Sequence, residues 1–339
     1  MKIHTLEPDR LHLAQLPTPV VELRRLARHT GVPQLFAKRD DLTGLELTGN
    51  KVRKLEYVVA DAIAGGADTL VTHGGFQSNH CRATAAIGAR LGLRVRLILR
   101  SDDDEPPSDG NLFLDQLFGA ACSFHPPSTY NSQLDNLVES TLAEEKQTGR
   151  VPYFFPVGAS VPLGCWGYIR CFAELVEQLG RDTPVDVYVA TSSGGTQVGL
   201  MLGRALFNCE KWCIRGIPVS DSVEYFHTSL RELERQTVEQ FKLSITPEQT
   251  PIELVDGFIG EGYAIPYPAA VESIRLLGRS EAIVLDPSYT SKAMTGMLSE
   301  LPQRDSSRVP VFLHTGGSFG LFARRDLLHL QNTQSETGF

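Results

Sequence analysis

Short runs of aliphatic and β-branched residues alternate along this chain with longer stretches whose apolar positions recur every three or four residues. The runs at 69–73, 95–99, 151–155, 185–190, 282–285 and 309–313 read as strands. The stretches at 79–91, 111–118, 131–146, 164–179 and 196–205 read as helices. Residues 52–63 carry Val52, Leu55, Val58, Val59 and Ile63 at helical spacing, and Gly65-Gly66 ends the run. Strand–helix alternation of this kind builds βαβ units, and so parallel sheets covered by helices on both faces. The expected fold class is α/β.

At 339 residues the chain is long enough for two domains and a sizeable core. Its net charge of −8, with no long basic run, argues against a nucleic-acid partner. No apolar run approaches the ~20 residues of a membrane span. The N-terminal residues lack the apolar core of a secretion signal, which points to the cytoplasm. The six cysteines form no Cys-x-x-Cys and have no histidine pair to complete a zinc site, so they read as reduced thiols. The acidic run 102–105 lies in a polar loop and reads as a solvated face rather than a metal site. Residues 331–339 read as a loose tail.

The chemistry concentrates in loops that follow strands or open helices. Lys51, in Gly49-Asn50-Lys51, stands on the first turn of a helix, where the positive end of the dipole favours a neutral, nucleophilic amine. Such an amine forms Schiff bases with aldehydes, and pyridoxal 5′-phosphate is the commonest biological one. The alternative is a solvated surface lysine. Ser192-Ser193-Gly194-Gly195-Thr196 joins an apolar strand to a helix, as a phosphate cup does, or an ordinary turn. It is neither a Walker loop nor Gly-x-Gly-x-x-Gly. Ser78, Asn79 and His80 follow Gly74-Gly75 at another helix start. They suit a substrate carboxylate, and Ser78 or Asn79 also suits an N-cap. Asp286-Pro287-Ser288-Tyr289-Thr290 and His314-Thr315-Gly316-Gly317 are two further polar loops after strands, where ligands of doubly wound sheets gather.

Four of these segments, together with Leu16-Pro17-Thr18-Pro19 and Ala37-Lys38-Arg39-Asp40-Asp41, closely resemble the D-cysteine desulfhydrase and 1-aminocyclopropane-1-carboxylate (ACC) deaminase family. The four are Gly49-Asn50-Lys51-x-Arg53-Lys54-Leu55-Glu56, Gly75-x-Gln77-Ser78-Asn79-His80, Asp286-Pro287-x-Tyr289 and His314-Thr315-Gly316-Gly317. The resemblance runs from about residue 15 to about 325. It implies a fold-type II pyridoxal-phosphate enzyme, similar to tryptophan synthase β, with two doubly wound domains and mainly parallel sheets. Residues 52–161 would form the smaller domain, and 1–51 with 162–339 the larger, cofactor-binding one. It implies a homodimer and a small amino-acid substrate.

Residue by residue, the resemblance has Lys51 carry the cofactor and move the α-proton. Asn79 would bond the ring hydroxyl oxygen. Ser193, Gly194, Gly195 and Thr196 would hold the phosphate, and Thr315 would face the ring nitrogen. Ser78, with Asn79 and His80 of its loop, would receive the substrate carboxylate, or Ser78 would sit near the reacting carbons as a catalytic residue beside Lys51 and Tyr289. Tyr289 would stand over the substrate side chain, with Tyr263 beside it. Thr290 and Thr315 stand where ACC deaminases typically carry glutamate and leucine. A threonine hydroxyl cannot hold a ring proton as an ion pair does. Both residues therefore point to the desulfhydrase branch, and to α,β-elimination of D-cysteine or a relative. ACC deaminase or another amino-acid deaminase on the same scaffold is the second reading, and a catalytically weak member serving as a binding or regulatory protein, opposed by an intact Lys51, is the third. Phe76, Ala83, Trp166, Phe319 and Gly320 depart from the family pattern. Phe76, Trp166 and Phe319 either reshape the pocket or repack the core.

Overall fold

The computed structural model describes residues 7–328. The expected tail at 331–339 lies outside them, as does most of the N-terminal segment read for a signal. In chain order the elements are β1 (Val20–Glu22), α1 (Arg24–Thr30), β2 (Phe36–Lys38), α2 (Lys51–Ala64), β3 (Thr69–Gly75), α3 (Asn79–Leu91), β4 (Arg94–Arg100) and α4 (Gly110–Leu117). There follow β5 (Ala121–His125), α5 (Pro127–Gln147), β6 (Pro152–Phe154), α6 (Pro162–Leu179), β7 (Val185–Thr191), α7 (Gly195–Leu206) and β8 (Trp212–Pro218). The last are α8 (Val223–Gln240), β9 (Glu253–Leu254), α9 (Pro268–Glu281), α10 (Thr290–Glu300), β10 (Val309–Leu313) and α11 (Ser318–Phe322).

Two sheets result. One runs β5-β4-β3-β6 and is parallel throughout. The other runs β1-β2-β10-β7-β8-β9 and is parallel except for the antiparallel β1–β2 pair. The central strands β3 and β7 are almost wholly buried, as continuous apolar strands covered by helices on both faces must be.

Residues 282–285, expected as a strand, form none. Ala282 closes α9 in the left-handed conformation, with φ +55°. The carbonyl of Val284 is hydrogen-bonded to the His314 ring, and the N–H of Asp286 donates to Thr290 Oγ1. Side chains thus take backbone groups that a ladder would need, and the apolar alternation serves only to bury Ile283 and Leu285. The short β1, β2 and β9 and the longer β8 had no separate signal. Helix α5 starts earlier than expected, at Pro127, with an irregular residue at Gln133. All six cysteines are free thiols.

The arginine of the Lys51 motif has a structural job. Arg53 is 1 % exposed and reaches Asp40 through two bonds of 2.9 Å and Glu174 through two of 2.8 Å. Lys38 adds a 2.8 Å contact to Glu174, and Tyr168 donates to Asp40 at 2.6 Å. Burial alone would raise the Asp40 carboxyl, but the Arg53 guanidinium overrides it and holds it below the usual range. This network ties α2 to β2 and α6. Arg53→Met removes the shared cation and leaves two buried carboxylates short of a partner. It should lower the unfolding free energy by about 3–5 kcal/mol, measured by urea denaturation at pH 7.

Candidate active site

A cavity of about 470 Å³ opens where the carboxyl ends of strands from both sheets meet the starts of helices. Its wall includes Lys51 from α2, and Ser78, Asn79 and His80 at the start of α3. Ser193, Gly194 and Thr196 come from the start of α7, and Tyr263, Tyr289 and Thr315 from loops. Ten of the sequence-derived site residues therefore share one space. Gly195 opens α7 directly behind it.

The approach to Lys51 is fixed by backbone contact. Gly49 has φ +106°, and a Cβ there would lie 2.7 Å from the carbonyl oxygen of Thr315. A Cβ on Gly316 (φ +90°) would lie 2.5 Å from the Gly49 Cα. Only glycine fits either position. Asn50 N–H donates to the Thr315 oxygen at 3.1 Å. Among the described residues no group hydrogen-bonds the Lys51 amine. Burial lowers its pKa to about 8, against the opposing pull of Asp286. The sequence argument had assigned this effect to the helix dipole; desolvation is its main cause.

Lys54, which sequence reasoning left without a role, lies one turn on and is fully buried. Its Nζ donates to Ser160 Oγ at 2.8 Å, and Ser160 donates to Ser193 Oγ at 2.8 Å. The N–H of Gly195 also donates to Ser160 Oγ. A Cβ on Gly195 would lie 2.8 Å from Lys54 Nζ, so glycine lets the amine reach the loop. Burial, then the neighbouring Lys51 charge, push the Lys54 amine well down. Helix α7 begins at Gly194 (φ +84°) without a side-chain cap, and Asn50 donates to Thr196 Oγ1 at 3.0 Å. A helix start whose N-cap offers no side chain, backed by a buried amine that an incoming anion would help to charge, is a strong anion site. The i, i+3 spacing of Lys51 and Lys54 was the available signal.

The α3 end is equally specified. Ser78 Oγ accepts from the N–H groups of His80 and Cys81, so the N-cap reading holds and its hydroxyl hydrogen remains to donate. Asn79 Oδ1 accepts from Asn111, which leaves the amide nitrogen as a donor. Thr72 gives its hydrogen to the Phe155 carbonyl and must accept from His80 Nε2. His80 Nδ1 is then a bare acceptor, buried without a partner in the structure. Burial, with the charges of Lys51 and Lys54, keeps this ring neutral.

Opposite stand Tyr263 and Tyr289, rings 5.8 Å apart, their hydroxyls hydrogen-bonded to each other. Burial raises both phenols, so they hold their protons. Thr290 is spent on the loop: its hydroxyl donates to Asp286 Oδ1 and accepts the Asp286 N–H. Trp166, a candidate for reshaping the pocket, is 1 % exposed in the core against Phe241. Phe319 lies under the Arg82 guanidinium, and Phe76 borders a second cavity of about 300 Å³.

Residues 11–316 match the family of pyridoxal-phosphate dependent enzymes. The chain belongs to that family. It is 37% identical over 315 residues to a Thermotoga maritima protein provisionally named 1-aminocyclopropane-1-carboxylate deaminase, covering 93% of this chain and 98% of that one. It is 36% identical over 336 residues to the bifunctional D-cysteine desulfhydrase/1-aminocyclopropane-1-carboxylate deaminase, mitochondrial, of Arabidopsis thaliana, covering 96% and 82%. A crystal structure of an ACC deaminase homologue superposes with a TM-score of 0.87 at 33% identity, covering 96% and 98%. O-ureido-L-serine synthase, at TM-score 0.67 and 15% identity over 90% of each chain, shares the fold. The fold is thus that of a fold-type II enzyme of the pyridoxal-phosphate dependent family, with mainly parallel sheets and an α/β architecture.

The residues present suit that cofactor. An unpartnered amine at Lys51 suits its aldehyde, and the uncapped α7 start with Lys54 behind it suits its phosphate. No helix among the described residues is long and apolar enough to cross a membrane. In cofactor-free protein, acylation of Lys51 should rise with pH to half its maximum near pH 8, read by mass spectrometry. A midpoint near the ordinary ~10.4 of lysine would place the amine in solvent.

Proposed function

We propose that this enzyme catalyses α,β-elimination of D-cysteine or a related β-substituted amino acid, giving pyruvate, ammonia and sulfide. The observation that carries the reading is the pairing of a partnerless, partly neutral Lys51 amine with two protonated phenols in one cavity, with Thr290 turned away and Thr315 at its wall. When bound, the cofactor supplies an aldehyde for the amine and an electron-withdrawing ring beside Cα. Lys51 takes the α-proton. Ser193, Gly194, Gly195 and Thr196, with Lys54 behind them, hold the phosphate. Asn79 donates to the ring hydroxyl oxygen, and Thr315 faces the ring nitrogen. The start of α3, with the Ser78 hydroxyl and the Asn79 amide, orients the substrate carboxylate. His80, named with them from the sequence, has its N–H on Ser78 and its ring hydrogen on Thr72, so it braces the loop and does not donate to the ligand. Tyr289, set by Tyr263, keeps a proton at Oη for the departing sulfur. A hydroxyl at Thr315 leaves the ring a modest electron sink, sufficient for a good leaving group and poor for opening a cyclopropane.

ACC deamination is the second reading, favoured by the names of the relatives. The proposal includes a smaller domain at 52–161 and a larger one formed by 1–51 and 162–339 with the cofactor in the cleft, a homodimer and a cytoplasmic location. Sedimentation should give a mass near twice that of the 37.3 kDa chain.

Separate assays with D-cysteine, L-cysteine and ACC, reading sulfide and keto acid, decide between the readings. Sulfide from a cysteine enantiomer is the expected result. Release of 2-oxobutanoate from ACC, with no sulfide from either cysteine, would reverse the order. Tyr289→Phe should lower kcat at least ~10-fold with bound cofactor unchanged by absorbance. Parallel loss of cofactor would show that Tyr289 acts on binding instead.

A further inference from the structure

Arg100 ends β4, paired in register with Gly75, and lines the cavity between the two sheets. Arg100 shares that cavity with Lys51 and has no part in the chemistry given to it above. Its guanidinium carbon lies 5.2 Å from the Tyr263 ring centroid and 5.8 Å from that of Tyr130. Tyr263 is the ring whose hydroxyl meets Tyr289, so the cation sits on the substrate side of the pocket. Among the described residues, no carboxylate ion-pairs with Arg100 and no oxygen accepts a hydrogen bond from its guanidinium. Five donors in a cleft with nothing to receive them form an open position for an oxyanion.

Tyr130 adds a sixth donor. The N–H of Val157 donates to His73 Nε2, so His73 carries its hydrogen on Nδ1 and gives it to Tyr130 Oη at 2.6 Å. Burial keeps this histidine neutral down to about pH 4. The Tyr130 hydroxyl is therefore an acceptor from His73, and its own hydrogen is free for the cavity it lines. Arg100 and Tyr263 also border the second cavity, of about 300 Å³, which leaves room beside the guanidinium.

We propose that Arg100 and Tyr130 form a subsite for a tetrahedral oxyanion on Cβ, so that the preferred substrate is an amino acid with a sulfonate or phosphate side chain. The inference rests on the elimination reading and names its substrate class. The α C–H bond breaks with its proton passing to Lys51, the Cα–Cβ double bond forms, and the bond from Cβ to sulfur or oxygen breaks. The leaving group departs with the electron pair as sulfite or inorganic phosphate, its charge held by Arg100. The released enamine takes up water to give pyruvate and ammonium, and no oxidant or reductant is needed.

Stopped-flow absorbance of the cofactor-loaded enzyme, read as the ligand binds and before turnover, tests the subsite with both enantiomers of cysteate, O-phosphoserine and alanine. Arg100→Gln should weaken binding of an anionic ligand about 30-fold and alanine less than about 3-fold. Tyr130→Phe, which removes one hydroxyl, should weaken the same anion about 5-fold. The cysteate and phosphoserine arms tell a sulfonate from a phosphate ester. Equal weakening of alanine would assign Arg100 to the α-carboxylate, and unchanged anion binding would leave it without a ligand; either result overturns the subsite. Pyruvate release from β-chloroalanine, whose leaving group is neutral when bound, reports the elimination reading separately. Its absence alongside an intact binding contrast would sink that reading and keep the subsite.

Discussion

The buried ion cluster of Arg53, Asp40, Glu174 and Lys38 is the constraint on which the site depends. A helix N-terminus is a poor place to hold a side chain still unless the helix itself cannot rotate. Arg53 stands two residues after Lys51, so its bidentate grip turns the other face of α2 away from the cavity and fixes the azimuth of the amine. The cost of burying four charges is offset only when every partner is present. The cluster therefore acts all together, and it joins β2, α2 and α6.

From this fixed helix the electrostatics of the cavity follow. Two amines, Lys51 and Lys54, lie one turn apart in a poorly solvated space; burial lowers both, and the Lys51 charge lowers Lys54 further. Such a place resists a cation and accepts an anion. The start of α7 adds its dipole with the same sign, and Gly195 removes the one atom that would stand between dipole and amine. Phosphate binding and amine activation thus depend on one field rather than on two separate devices.

Much of this was legible in the chain, and the reasons differ by residue. Lys51, Ser78 and the 193–196 loop announce themselves because strand, small polar loop and helix follow one another locally. The N-cap at Ser78 and the parallel strands β3, β4, β7 and β10 were readable on the same basis. Residues 282–285 misled because alternation reports which side chains are buried, not whether a neighbouring strand exists. Strand β8 was missed because Arg215 and Gly216 interrupt its apolar run. Lys54 and Ser160 meet across 106 residues, and His73 and Tyr130 across 57, so their hydrogen-bond logic exists only after folding. Arg100 reads in sequence as the polar end of a strand, and its lack of a counter-ion among the described residues is a fact of three dimensions.

The contact between Gly49 and Gly316 has one more consequence. Two main chains touch there with no side chain between them, so there is no rotamer to flex and absorb an error. A displacement of the loop after β10 passes undiminished to the peptide that precedes the reactive lysine. The joint works as a mechanical stop of zero clearance: two stretches of chain over 260 residues apart share a single tolerance, and neither can drift without detuning the other.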